Sequence, residues 1–129
     1  MPNKFILCCF LFLYTSKLSI AQVPKQNSPR NTLEEAFKAA RTGNFSYLHL
    51  LCDPEGNNDG DTQKLCNLQN GTLADKLDYR VQFKLAHSLE EKYIDENRAT
   101  VRFKFGKKAQ LFETMNLVKR DNKWYLISF

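Results

Sequence analysis

Asn97-Arg-Ala-Thr-Val-Arg-Phe-Lys-Phe105 alternates small or apolar residues with charged or polar ones. Gly106-Lys107-Lys108 turns the chain, Leu111 to Lys119 runs back, Arg120-Asp121-Asn122-Lys123 turns it again, and Trp124-Tyr-Leu-Ile-Ser-Phe129 closes. Period-two alternation bounded by turn formers is the signature of strands joined in hairpins. These 33 positions read as two β-hairpins in a row. Helical patterns precede them, so the expected architecture is α+β: N-terminal helices packed on one curved antiparallel sheet.

Working back from the hairpins, Asp78 to Ile94 reads as a long, bulged strand. Tyr79, Val81, Phe83 and Leu85 share one phase, and Ser88 to Glu91 is the place where it breaks. Thr62 to Leu68 is long enough for two helical turns, and Asn70-Gly71 marks a turn. Helix one is expected to start at Thr32, because Thr32-Leu-Glu-Glu35 is a capping-box pattern, and to end at Gly43. A second, shorter helix is expected over Phe45 to Cys52, capped by Asn44 and stopped by Pro54.

The first 21 residues read as something other than domain. Lys4 supplies a positive start, Phe5 to Tyr14 is a ten-residue apolar run, and Ser19-Ile20-Ala21 resembles a signal-peptidase site. The run is short of the roughly 20 apolar residues that span a bilayer. The organisation expected is a signal peptide over 1–21, a flexible leader over 22–30 and a single domain over 31–129. A secreted or periplasmic location follows, with no stable membrane anchor after cleavage. Lys4 and Lys17 leave with the signal and no acid does, so the formal charge falls from +5 to +3. Arg98, Arg102 and Lys104 fall on the outward phase of one strand. A solvated strand face explains them, and no nucleic-acid partner is expected.

Export permits a disulfide, and Cys52 and Cys66 are the two cysteines that follow the signal. They enclose the turn-rich Asp53 to Asp61, and their expected bond is structural. The same loop opens like a calcium site at Glu55, Asn57 and Asp59. A calcium loop starts with Asp and ends with a bidentate Glu at position twelve, where this chain has Cys66. The expectation is a solvated turn, with no metal and no cofactor.

Leu117 and Val118, and Trp124 to Ile127, place apolar side chains on both phases of the last strands. A sheet with one wet face would alternate. The second face therefore calls for cover, and a second copy of the chain is the expected partner.

Two phrases, Thr32-Leu-Glu-Glu-Ala-Phe-Lys-Ala-Ala-Arg-Thr-Gly-Asn-Phe-Ser46 and Leu117-Val-Lys-Arg-Asp-Asn-Lys-Trp-Tyr-Leu126, resemble the nuclear transport factor 2-like superfamily. Small secreted bacterial members are the nearest in style. The resemblance covers about residues 30 to 129 and implies a cone of strands around helices, a pocket at its wide end and frequent pairing through the sheet. The superfamily holds isomerases, cyclases, dehydratases and plain binding modules, so fold implies little about activity.

Its isomerases use a carboxylate as proton shuttle in an apolar cone. The candidates here are Glu113, on one strand phase with Leu111, Met115 and Leu117, together with His87 and Tyr47. A base, an imidazole and a phenol suffice for proton transfer only where they converge on a substrate. Each also has an ordinary explanation: a strand-end acid, a bulge histidine and a half-buried core tyrosine. His49, two residues from Tyr47, faces elsewhere. The leading expectation is non-enzymatic binding of a small apolar ligand or a protein partner. An isomerase or lyase, and a purely structural module with its interior filled by aromatics, are the alternatives.

Overall fold

The computed structural model describes residues 23–129; the expected signal segment and its cut after Ala21 lie outside the described residues. Three helices, α1 (Pro29–Thr42), α2 (Gly60–Cys66) and α3 (Leu73–Phe83), precede four strands: β1 (His87–Tyr93), β2 (Arg98–Phe105), β3 (Leu111–Arg120) and β4 (Lys123–Ser128). The strands form one antiparallel sheet in chain order, β1-β2-β3-β4. The helices pack on it, as an α+β fold requires.

The sheet buries one phase of each strand. Ala99, Val101 and Phe103 of β2, Met115 and Leu117 of β3, and Trp124 and Leu126 of β4 all face inward. Leu33, Ala36, Phe37 and Ala40 of α1 close over them. Phe37 meets Phe103 at 5.4 Å between ring centres and Phe83 of α3 at 6.1 Å. Phe83 continues to Tyr79, Phe105 and Phe129 at 4.9, 5.5 and 6.3 Å. Each buried aromatic contributes about 1.5–3 kcal/mol by leaving water.

The β4 edge is covered, and the β1 edge is engaged over its first half. Along β4, Trp124 N donates to Gln26 O, Leu126 N to Leu51 O, and Asp53 N and Asp59 N donate back to Leu126 O and Ile127 O. At β1, Arg30 donates to Leu89 O, and Ser88 N donates to Glu34 of α1. Covered edges remove the template for unwanted strand pairing.

Several local expectations are corrected. Helix α1 starts at Pro29, ahead of Thr32, because Ser28 accepts from Asn31 N at 3.0 Å and Pro29 is already set for a first turn. Thr32 instead donates its hydroxyl to Ser28 O. Gly43 does end the helix, at φ 74°, with its N–H on Ala39 O. The second helix shrinks to a 3₁₀ turn over Leu48–Leu50. Asn44 spends its side chain on Ser46, and the chain after it is committed to pairing with β4. The leader is no loose tether: Gln26 is buried, and its amide donates to Leu50 O and Trp124 O.

The expected strand over Asp78 to Ile94 is half helix. Leu77, Tyr79, Val81, Phe83 and Leu85 alternate as a strand would, yet Leu73–Phe83 is α-helical. Thr72 caps it by accepting from Asp75 N at 3.1 Å. In a helix, positions two apart point to opposite sides while positions four apart share a side. The alternating set therefore splits. Tyr79 is buried and Phe83 packs inward, whereas Leu77, Val81 and Leu85 are exposed. The strand begins at His87, with the expected break as a register shift between Ser88 and Glu91.

Candidate functional site

Cys52 and Cys66 are bonded, with Cα atoms 6.1 Å apart. The bond ties the loop after the 3₁₀ turn to the end of α2. Asp59 caps α2 by accepting from Thr62 N at 2.8 Å, and its other oxygen accepts from Phe129 N at 3.2 Å. Helix α2 is thereby fixed against the end of β4. Together with α3 and the ends of β2 and β3 it borders an open cavity of about 310 Å³.

The cavity has two chemically distinct zones. Its floor is apolar: Leu65, Leu68, Phe83, Phe105 and Phe129, with the ring of Tyr79. Its rim holds four carboxylates, Asp61, Asp75, Asp78 and Glu113, against one ammonium, Lys64. Lys64 stands 3.7 Å from Asp75, and both are well solvated. The Tyr79 hydroxyl is already committed to Ala36 O at 2.6 Å, and burial holds its phenol far above the usual range. What the site offers is a greasy aromatic floor under a negative rim, in a chain whose overall charge is positive.

The three proton-transfer candidates do not meet. Glu113 pairs with Phe103 across β2 and β3, on the inward phase, and reaches the rim as an exposed side chain. His87 pairs with Lys104, one position out of phase with the inward Phe103, so it sits exposed on the other side of the sheet. Tyr47 is buried and donates to Glu35 O at 2.8 Å. Burial first, then the Glu35 charge, push its phenol up to about 12 despite Arg41. His49 is exposed on the 3₁₀ turn.

The calcium candidates also diverge. Glu55 pairs with Arg120 at 3.0 Å, Asp59 is spent on the α2 cap and Phe129, and Asn57 stands exposed in the loop. Among the described residues, no group of three His, Cys, Asp or Glu side chains is placed to hold a metal ion, and no helix is long and apolar enough to cross a membrane.

Sequence reading identified Glu113 at the cavity but missed Asp61, Lys64, Asp75 and Asp78. Reading the segment from Asp78 as a strand hid Asp78, while Asp61, Lys64 and Asp75 lie on segments whose placement beside the sheet ends no local pattern encodes. The signal was present: Thr72-x-x-Asp75 is a helix start, and Asp75, Tyr79 and Phe83 repeat every four residues. Comparison with known protein families, with curated proteins and with solved structures gives no match.

Proposed function

We propose that this is an exported, non-enzymatic binding domain whose cavity takes a small amphipathic ligand with an apolar body and a cationic head. The observation that carries this reading is the pairing of aromatic floor and carboxylate rim in one cavity. Its volume of about 310 Å³ is at the small end of ligand pockets, roughly 300–1,000 Å³. Aromatic rings and carboxylates both attract an organic cation, and the floor rewards burial of its hydrocarbon part. The three helices on a four-stranded antiparallel sheet are compatible with the resemblance to the nuclear transport factor 2-like superfamily but are a general α+β arrangement. The disulfide supports export.

The test is calorimetric titration with decyltrimethylammonium and with decyl sulfate, each below its micelle concentration. The cation should bind and the anion should not. Asp78→Asn with Glu113→Gln should weaken the cation selectively, and added salt should do the same. Equal binding of both amphiphiles, or of neither, would overturn the reading.

Self-association through the sheet is a separate proposal. Val118 and Tyr125, cross-strand partners on the outward phase and only partly exposed, are its apolar support. Arg102 and Lys104, which hold the Phe112 ring at 4.8 and 5.3 Å, oppose it wherever a two-fold brings them near their own copies. Sedimentation velocity over a concentration series decides the matter.

A further inference from the structure

Helix α3 carries a second surface that the cavity does not use. Leu73, Leu77, Val81 and Leu85 follow one another at intervals of four, along the helix and just past its end. They are 73, 53, 47 and 52% exposed, which is far from the burial their chemistry favours. Tyr79 and Phe83 anchor the opposite side of the same helix in the core.

The charges beside the stripe have one sign along one flank. Lys76, Arg80 and Lys84 each stand three residues after Leu73, Leu77 and Val81, so they form a parallel row. Arg80 is partly engaged, donating to Ala40 O at 3.2 Å. Lys76 and Lys84 have no ion pair among the described residues. Gly106 N donates to Gln82 O at 2.6 Å, which brings the β2–β3 turn, with exposed Lys107 and Lys108, beside the C-terminal end of α3. On the other flank, Asp75 and Asp78 belong to the cavity rim, and Asp75 is paired with Lys64.

We propose that the outward side of α3 docks the domain on an anionic lipid surface, its aliphatic stripe entering the headgroup region and its lysines reaching lipid phosphates. A stripe of aliphatic side chains with lysines along its border is what an interfacial helix needs. Charge complementarity favours this occupant over a second copy. An antiparallel two-fold pairing of the stripe would return each flank to itself and set Lys76 of one copy beside Lys84 of the other.

The test is co-sedimentation of the exported, processed protein with phosphatidylcholine vesicles, with and without phosphatidylglycerol. Wild-type protein should bind only the vesicles containing phosphatidylglycerol. Lys76→Gln with Lys84→Gln should weaken binding about thirty-fold, at about fivefold for each lysine near such a surface. Leu77→Ser with Val81→Ser, at positions exposed in the fold, should abolish binding while leaving the melting temperature in place. Absence of wild-type binding, equal binding to neutral vesicles, or binding unchanged in the serine variant would each overturn the proposal. So would concentration-dependent self-association lost in the serine variant, which would assign the stripe to a second copy.

Discussion

Arg120 grips Asp53 with two nitrogens, Nε on Oδ1 at 2.7 Å and Nη2 on Oδ2 at 3.1 Å. The Asp53 side chain is inaccessible to solvent while that of Arg120 is 26% exposed. One carboxylate is thus buried beneath its guanidinium, with Glu55 adding a third contact from the wet side. The pair joins the end of β3 to the loop that covers β4. Arg120→Ala should cost about 2–3 kcal/mol, because it leaves a buried carboxylate without its charged donor. Glu55→Ala, at an exposed partner, should cost less than about 1 kcal/mol. Urea unfolding of the two variants checks the contrast.

The same carboxylate sets an acid limit. Burial alone would raise the Asp53 carboxyl, but the Arg120 bonds and the Glu55 N–H outweigh it and hold it below the usual range. Asp59 behaves likewise, burial being outweighed by its bonds from Thr62 and Phe129 N. A carboxyl depressed in the folded state contributes stability above its unfolded value near 4, and that stability is lost as pH falls through the folded value. Urea midpoints should therefore stay level with respect to these groups above about pH 5 and fall below about pH 4. The Asp53 part of the fall should be missing in Arg120→Ala.

Reduction offers a third measurement. The Cys52–Cys66 bond closes a loop with a sequence separation of 14. Cross-linking a loop of this length is worth about 3 kcal/mol in the chain-entropy model. Cys52→Ser with Cys66→Ser should lose about that much. Because the bond also seats α2, the proposed binding of decyltrimethylammonium should weaken in parallel. A stability loss with unchanged ligand affinity would show that Asp59 alone holds the helix in place.

How much of this was legible beforehand depends on which residues carried more than one message. Ala99, Val101 and Phe103 alternate with charged or polar neighbours and are bordered by turn formers, so β2 could be read directly. Cys52 and Cys66 were legible as a pair once the expected signal segment, with Cys8 and Cys9, was set aside. Leu77 to Leu85 alternates just as cleanly and is mostly helix, because Tyr79 and Phe83 can anchor it from one side and Thr72 starts it. Period two contains period four, so the pattern alone does not choose between them. Asp78 was lost from the cavity rim with that choice. Glu113 survived because a strand phase fixes direction, whereas grouping it with His87 and Tyr47 needed the register and the 3₁₀ turn, which no local pattern encodes.

Thr62 presents a buried hydroxyl that makes no well-formed hydrogen bond among the described residues; the nearest charge is the Asp59 carboxylate, which accepts the Thr62 backbone N–H. A buried polar group left unsatisfied costs its desolvation penalty, and a methyl of the same shape does not. Relief of that penalty and loss of the hydroxyl's attraction to the Asp59 charge oppose each other, so Thr62→Val should change stability by no more than about 1 kcal/mol. A loss larger than that in thermal unfolding would mean that the hydroxyl is satisfied in solution.

Phe83 links stability to the cavity. Its ring stacks on Phe37 and Phe105, meets Tyr79, and forms part of the cavity floor. Truncating a packed phenylalanine costs about 3–5 kcal/mol when its site cannot collapse, and Phe83 is partly open, so about 2–3 kcal/mol is expected. The lost ring volume joins the cavity beneath the rim, while Asp61, Asp78 and Glu113 keep their places. Phe83→Ala should therefore melt lower yet shift preference toward longer alkyl ammonium chains, since a deeper floor rewards each added methylene by about 0.8 kcal/mol until the new space is filled. Calorimetric titration with a series of chain lengths gives the answer. A uniform loss at every length would mean that the floor collapses when the ring is removed, and that Phe83 serves the core alone.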